Sequence, residues 1–201
     1  MAARLRRESG ALLAAAVGLA GAAAPTQAQS EIELRAATGA YRFVDVSYEF
    51  RNRVVVDALH VGVSDVQEYH LGAGYDLGSD SAWSVTPIVY GVLGTPGRRQ
   101  GVTLGVFADF RSGSWRVRGF AGRFFPTGGT VPGYTFVDAF DLTRVIGPWE
   151  VGASMDADQI GESPGWLVGP TLKRNDGLGA WAVSCRTGDG SEFRVIRTLQ
   201  F

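Results

Sequence analysis

Cysteine occurs once in this 201-residue chain, at Cys185, so no internal disulfide can brace it. Histidine occurs twice, at His60 and His70, and lysine once, at Lys173. Tight metal sites need three or four converging ligands, which this supply does not offer, so no metal and no cofactor is expected. Charge of one sign is also lacking. The formal net charge is −1, which leaves no basic footprint for nucleic acid. Beyond residue 28 there is no apolar run long enough for a membrane helix, and no segment repeats its apolar residues with helical period.

The first residues read as a processing segment. Arg4, Arg6 and Arg7 precede an Ala-, Leu-, Val- and Gly-rich run from Ala11 to Ala24 that is too short to span a bilayer. Pro25 ends the run, and Thr26-Gln27-Ala28 places small residues where a signal peptidase reads them, so cleavage is expected after Ala28. Residues 1–28 are then a signal peptide and 29–201 a single domain, since no linker divides the remainder. Loss of three arginines and Glu8 makes the mature chain slightly more acidic.

What the remainder has is alternation with period two, cut at short intervals by turn residues. Tyr69, Leu71, Ala73, Tyr75 and Leu77 form one face of a strand, opposite Glu68, His70, Gly72, Gly74 and Asp76. The same pattern recurs over 102–111 and 149–157. Twelve strands result, over 31–38, 41–50, 54–63, 67–77, 82–93, 101–111, 114–124, 133–145, 149–157, 165–174, 178–186 and 192–201; eight or ten remain open. Their length suits a tilted membrane strand. Pro87 and Pro170 fall inside strands, where a bulge or a break in pairing is expected, and the apolar parity slips near Val56. The fold class is all-β: a closed, antiparallel, up-and-down transmembrane barrel.

Alternation alone also fits a soluble, lipocalin-like ligand-binding barrel, so the membrane reading rests on three further features. Phe193, Val195, Leu199 and Phe201 alternate up to the end of the chain, interrupted at Arg197. This strand, together with the signal peptide, resembles the C-terminal strand of bacterial outer-membrane β-barrel proteins. The resemblance implies recognition by the barrel-assembly machinery and residence among outer-membrane lipid and lipopolysaccharide. Secondly, the longest connections, 94–100, 125–132 and 158–164, all follow odd strands, as outer loops would. Thirdly, Trp83, Trp115, Trp149 and Trp181 gather with Phe50, Tyr75, Phe110 and Phe201 at one edge, while Tyr69, Tyr134, Trp166 and Phe193 mark the other. Amphipathic rings favour those two interfaces.

Candidate chemistry is sparse. Gly161-Glu162-Ser163-Pro164-Gly165 matches a hydrolase elbow, but it leads into a strand rather than a helix. No His-Ser-Asn cluster like those of membrane phospholipases and deacylases accompanies the two histidines. No catalytic residue is assigned. The inward face carries mixed charge: Asp45, Glu49, Glu68, His70, Asp76, Asp109, Arg111, Arg116, Arg118, Glu150, Asp156, Lys173, Arg186, Glu192 and Arg194. These groups either pair across a plugged interior or line a wet pore. The expected function is a narrow passive channel or a structural surface protein, with a lipid-modifying barrel as the enzyme alternative. Oligomeric state is not legible.

Overall fold

Each alternating segment becomes a strand, and the strands close on themselves. The computed structural model describes residues 29–78, 82–95, 99–160 and 163–201; the expected leader and its cleavage position Ala28 lie outside the described residues. Twelve antiparallel strands follow in order: β1 (Gln29–Ala37), β2 (Tyr41–Glu49), β3 (Val54–Val63), β4 (Val66–Tyr75), β5 (Trp83–Gly94), β6 (Arg99–Ser112), β7 (Trp115–Gly129), β8 (Tyr134–Ile146), β9 (Trp149–Ile160), β10 (Ser163–Asn175), β11 (Gly179–Gly188) and β12 (Ser191–Gln200). Every strand pairs with its sequence neighbours, and β1 pairs with β12 from Glu31↔Gln200 to Ala37↔Arg194. Reciprocal bonds between Ser30 and Phe201, at 3.2 and 3.0 Å, fasten the seam. Closure leaves no edge strand, which is what a hydrocarbon environment demands of a sheet.

The outward face is an apolar belt. Leu71 and Leu93 are 66% and 62% exposed, and Val89, Leu104, Val106, Leu142, Val151, Leu172 and Val183 continue the belt around the wall. Contiguous apolar surface on this scale faces lipid, not water. Trp83, Trp115, Trp149 and Trp181 are all exposed at the end that holds both termini, with Phe50, Tyr75, Phe110 and Phe201. Arg174 stacks on Trp149 and Arg197 on Trp181 at that same rim, so these outward cations reach the headgroup zone beside a ring.

Two expectations change and one holds. The connections at the far end are shorter than the sequence implied, because β6 begins at Arg99, β7 runs to Gly129, and β9 and β10 extend to Ile160 and from Ser163. The longest connection, between Tyr75 and Trp83, lies at the terminal end, so loop length does not separate the two ends. The prolines do sit at local breaks in pairing, as expected, but without a register shift. Pro87 stays in register with Val106, just past the last β4–β5 pair, and Pro170 falls in a gap of the β10–β11 ladder between Val168↔Thr187 and Thr171↔Ser184, where its missing N–H leaves no bond unmade. Finally, β8 carries an extra residue. Phe120 pairs with Asp138 and Arg118 with Asp141, so two residues of β8 oppose Gly119, and Ala139 takes φ +48°. This bulge turns Tyr134 inward, away from the lipid rim expected for it.

A sealed ladder of this kind holds in detergent until heat breaks it. Unboiled protein should migrate differently from boiled protein on a gel. Identical migration of the two, with solubility in plain buffer, would remove the membrane assignment.

Candidate functional site

The interior divides into a cup at the far end and an ion-paired waist beneath it. The cup encloses about 550 Å³ and opens past Thr38, Asp189 and Ser191, which lie at the far-end connections. Its wall is aromatic on the β5–β8 side. Phe107 and Phe120 rings meet at 4.5 Å, Phe120 and Phe136 at 5.6 Å, and Phe124 and Tyr134 at 5.5 Å. Glycine makes room for these rings: a Cβ on Gly105 would come 2.1 Å from Phe120, so that ring lies across the bare backbone of β6. Near the mouth, Glu68 accepts from Arg99 at 2.6 Å and lies 3.4 Å from His70, and the Arg99 guanidinium covers Tyr134 at 4.9 Å.

The waist is made by arginines that cross the lumen. Arg35 of β1 pairs with its neighbour Glu33 and reaches Asp138 of β8 at 2.6 Å, while its guanidinium lies 4.1 Å above Phe43. Strands β1 and β8 are not neighbours in the wall, so this bridge spans the interior. Arg118 of β7 approaches Glu31 and Glu33 of β1 at 3.8 and 3.7 Å. On the β9–β12 side, Arg194 binds Asp156 at 2.7 Å and Glu192 at 2.9 Å. Arg186, fully buried, pairs with Glu192 and lies 2.6 Å from Asp156. That second contact is off the donor axis, so it is ionic without being a well-aligned hydrogen bond. Buried charges persist only when paired in this way.

Toward the terminal end, Arg116 donates to Asp109 at 3.0 Å and to Glu150 at 3.0 Å, and Glu150 also takes Lys173 at 3.6 Å. Arg111 is the exposed member of the group, 3.5 Å from Asp109. Asp76 lies below the strands, accepting from Gly78 N–H in the β4–β5 connection and from Ser84 Oγ at the start of β5. Changing Arg116 and Arg118 together to Glu would set new carboxylates against Asp109, Glu150, Glu31 and Glu33. We expect a loss of about 3–5 kcal/mol, read as a fall in the denaturant midpoint of refolded protein. An unchanged midpoint would mean that water screens these pairs.

The inward residues named from sequence therefore share one lumen but form three groups: Glu68 and His70 in the cup, Asp156 at the waist, and Asp109, Arg111, Arg116, Arg118 and Glu150 from the waist down. Phe193, Val195, Leu199 and Phe201 lie on the opposite, lipid-facing side of β12. Sequence reading missed Glu33, Arg35, Asp57, Arg99, Asp138 and Asp141. Glu31, Glu33 and Arg35 alternate with Ile32, Leu34 and Ala36, a signal that was present. Asp138 and Asp141, three apart, cannot share a face without the bulge. His60 faces outward and bonds Gln67 at 2.8 Å. Among the described residues no group of three or more His, Cys, Asp or Glu is placed to hold a metal.

Every inward arginine and the lysine is in an ion pair, whereas Asp45, Asp57, Asp141 and Asp158 form no salt bridge among the described residues. Among the described residues, the lumen groups left outside ion pairs are carboxyl groups.

No family model matches this chain, and no curated protein matches it. Among solved structures it is similar to the KdgM porin, with a TM-score of 0.64 and 12% identity over 86% of this chain and 99% of that one. It is similar also to the KdgM porin in complex with disordered oligogalacturonate, with a TM-score of 0.60 and 12% identity over 86% and 98%. At this identity the likeness is one of fold: a small closed barrel of the kind built by porins.

Proposed function

We propose that this chain is a small outer-membrane channel with a narrow waist that passes cations in preference to anions. The observation that carries the reading is the lumen: a polar interior entered from a wide cup, in which, among the described residues, the inward cations are paired and several carboxyl groups are not. Fixed rings of one charge favour permeant ions of the opposite sign. The apolar belt, the aromatic rim and the terminal strand support an outer-membrane location, with export through cleavage after Ala28, insertion by the barrel-assembly machinery, and lipid and lipopolysaccharide around the wall. In this orientation the cup faces outward. His70 lies beside Glu68 and Ser163 to Gly165 are part of strand β10, while Gly161 and Glu162 lie outside the described residues; a strand at that serine favours a passive barrel over a lipid-modifying enzyme.

Oligogalacturonate, named in the complex of one structural neighbour, is a chain of sugar acids and therefore a polyanion. A lumen whose unpaired groups are carboxylates repels such a chain, so that ligand is not carried over here. Planar-bilayer recording tests the proposal: a small conductance with a cation-directed reversal potential in a potassium chloride gradient is expected. Anion selectivity, or silence from correctly folded protein, would reject it.

A further inference from the structure

Beside the cup, two carboxyl groups and a phenol meet, and among the described residues no cation pairs with either carboxyl group. Asp45 and Tyr90 line the cup, and Asp57, 1% exposed, lies behind them. Asp45 Oδ1, Asp57 Oδ1 and Tyr90 Oη are all buried without a well-aligned hydrogen bond, close enough only to share protons among themselves. The three groups are near enough to act on one another electrostatically. Their convergence follows from register. Asp57, Gly72 and Tyr90 occupy one row across β3, β4 and β5. A Cβ on Gly72 would come 2.5 Å from the Tyr90 ring, so the ring lies over bare backbone and its hydroxyl is carried toward Asp57. Asp45 stands on β2, diagonal to Asp57.

Two buried carboxylates side by side repel strongly unless a cation or a proton comes between them. Arg35, the nearest arginine to act on Asp45, is already committed to Glu33 and Asp138. A divalent metal takes six or more oxygens or several waters, which three oxygens under an aromatic wall do not provide. An organic ammonium asks for less: a few oxygens for its N–H donors, and apolar or aromatic faces for its carbon body. Phe43, Phe107 and Phe120 supply those faces in the lining of the same cup, within a volume fit for a small molecule.

We propose that Asp45, Asp57 and Tyr90 form a binding site for the ammonium head of a small organic cation, whose hydrocarbon body packs against the aromatic wall of the cup. The inference rests on the channel reading only for its direction, since it names the class of solute that the cup would select; the binding itself does not depend on conduction.

Calorimetry on folded protein in detergent, with phenethylammonium as the probe and 2-phenylethanol as its neutral counterpart, tests this. The ammonium should bind, and the alcohol should bind about tenfold or more weakly, as expected when a carboxylate–ammonium pair is lost. Asp45→Asn and Asp57→Asn should each weaken the ammonium by a similar factor while preserving heat-modifiable migration. Should Asp57→Asn fail to fold, Asp45→Asn and Tyr90→Phe carry the test, because both alter the site with little change of volume. Equal affinity for the two probes, or unchanged affinity in the folded variants, overturns the site. So does absence of binding in the wild-type protein, which would mean that a shared proton alone satisfies the pair. A cation-selective channel without ammonium binding would overturn this inference and leave the channel intact. A silent barrel that binds ammonium would do the reverse.

Discussion

Arg35→Ala should raise single-channel conductance severalfold and strengthen cation preference. The side chain is the one that joins β1 to β8 across the interior, and it does so from the middle of the waist. Its removal deletes a bulky guanidinium from above Phe43 and frees Glu33 and Asp138 to face the permeating ion. Asp138 keeps Arg194 at 3.7 Å and Glu33 keeps Arg118 at 3.7 Å, so neither carboxylate is left wholly unpaired and the barrel should still fold. Planar-bilayer recording of the variant beside wild type measures both effects. If conductance stays the same while the protein remains heat-modifiable, Arg35 is not at the constriction.

Deleting Phe201 should abolish delivery to the outer membrane while costing the finished barrel little. The residue contributes two backbone bonds to Ser30 and an aromatic ring that is 69% exposed at the lipid face. Losing those bonds removes about 1–3 kcal/mol, because the β1–β12 ladder from Glu31↔Gln200 to Ala37↔Arg194 remains. A recognition role predicts a much larger effect in cells, because the machinery must find an outward aromatic at the end of the last strand. The comparison is between outer-membrane abundance in cells and refolding yield in detergent. Truncated protein at normal abundance would sink the assembly role, and a collapse in both assays would make Phe201 structural instead.

Much of the fold was legible because lipid enforces a strict rule. Outward positions must be apolar, so each strand announces its parity, and the span of β3 agrees with the sequence expectation at both ends. Parity nonetheless slipped within β3, where Val55, Leu59 and Val61 face inward and make both sides apolar around Asp57. The far-end connections were harder. Arg99 was placed in a loop because glycines and prolines surround it, yet it opens β6 and enters the cup. The site itself was legible only as a list. That Glu150 pairs with Arg116, or that Asp45 and Asp57 pair with no cation, depends on which strands oppose one another across a closed wall, and alternation carries no such information.

Ala139 behaves like a one-letter insertion absorbed by a reading frame of two. Below it, Asp141 and Thr143 hold the lumen phase; above it, Asp138, Phe136 and Tyr134 hold that phase again, because the odd residue is folded out of step, its N–H capped by Asp156 Oδ1 at 2.8 Å. Deleting Ala139 would therefore leave every other side chain of β8 on its present side, whereas deleting Val137 would trade Tyr134 and Phe136 for Thr135 at the aromatic wall. A barrel strand elsewhere can change length only in steps of two without exchanging lipid for lumen. At Ala139 this one can shorten by one, which makes the bulge the point in β8 where a residue can be lost and the lumen face kept.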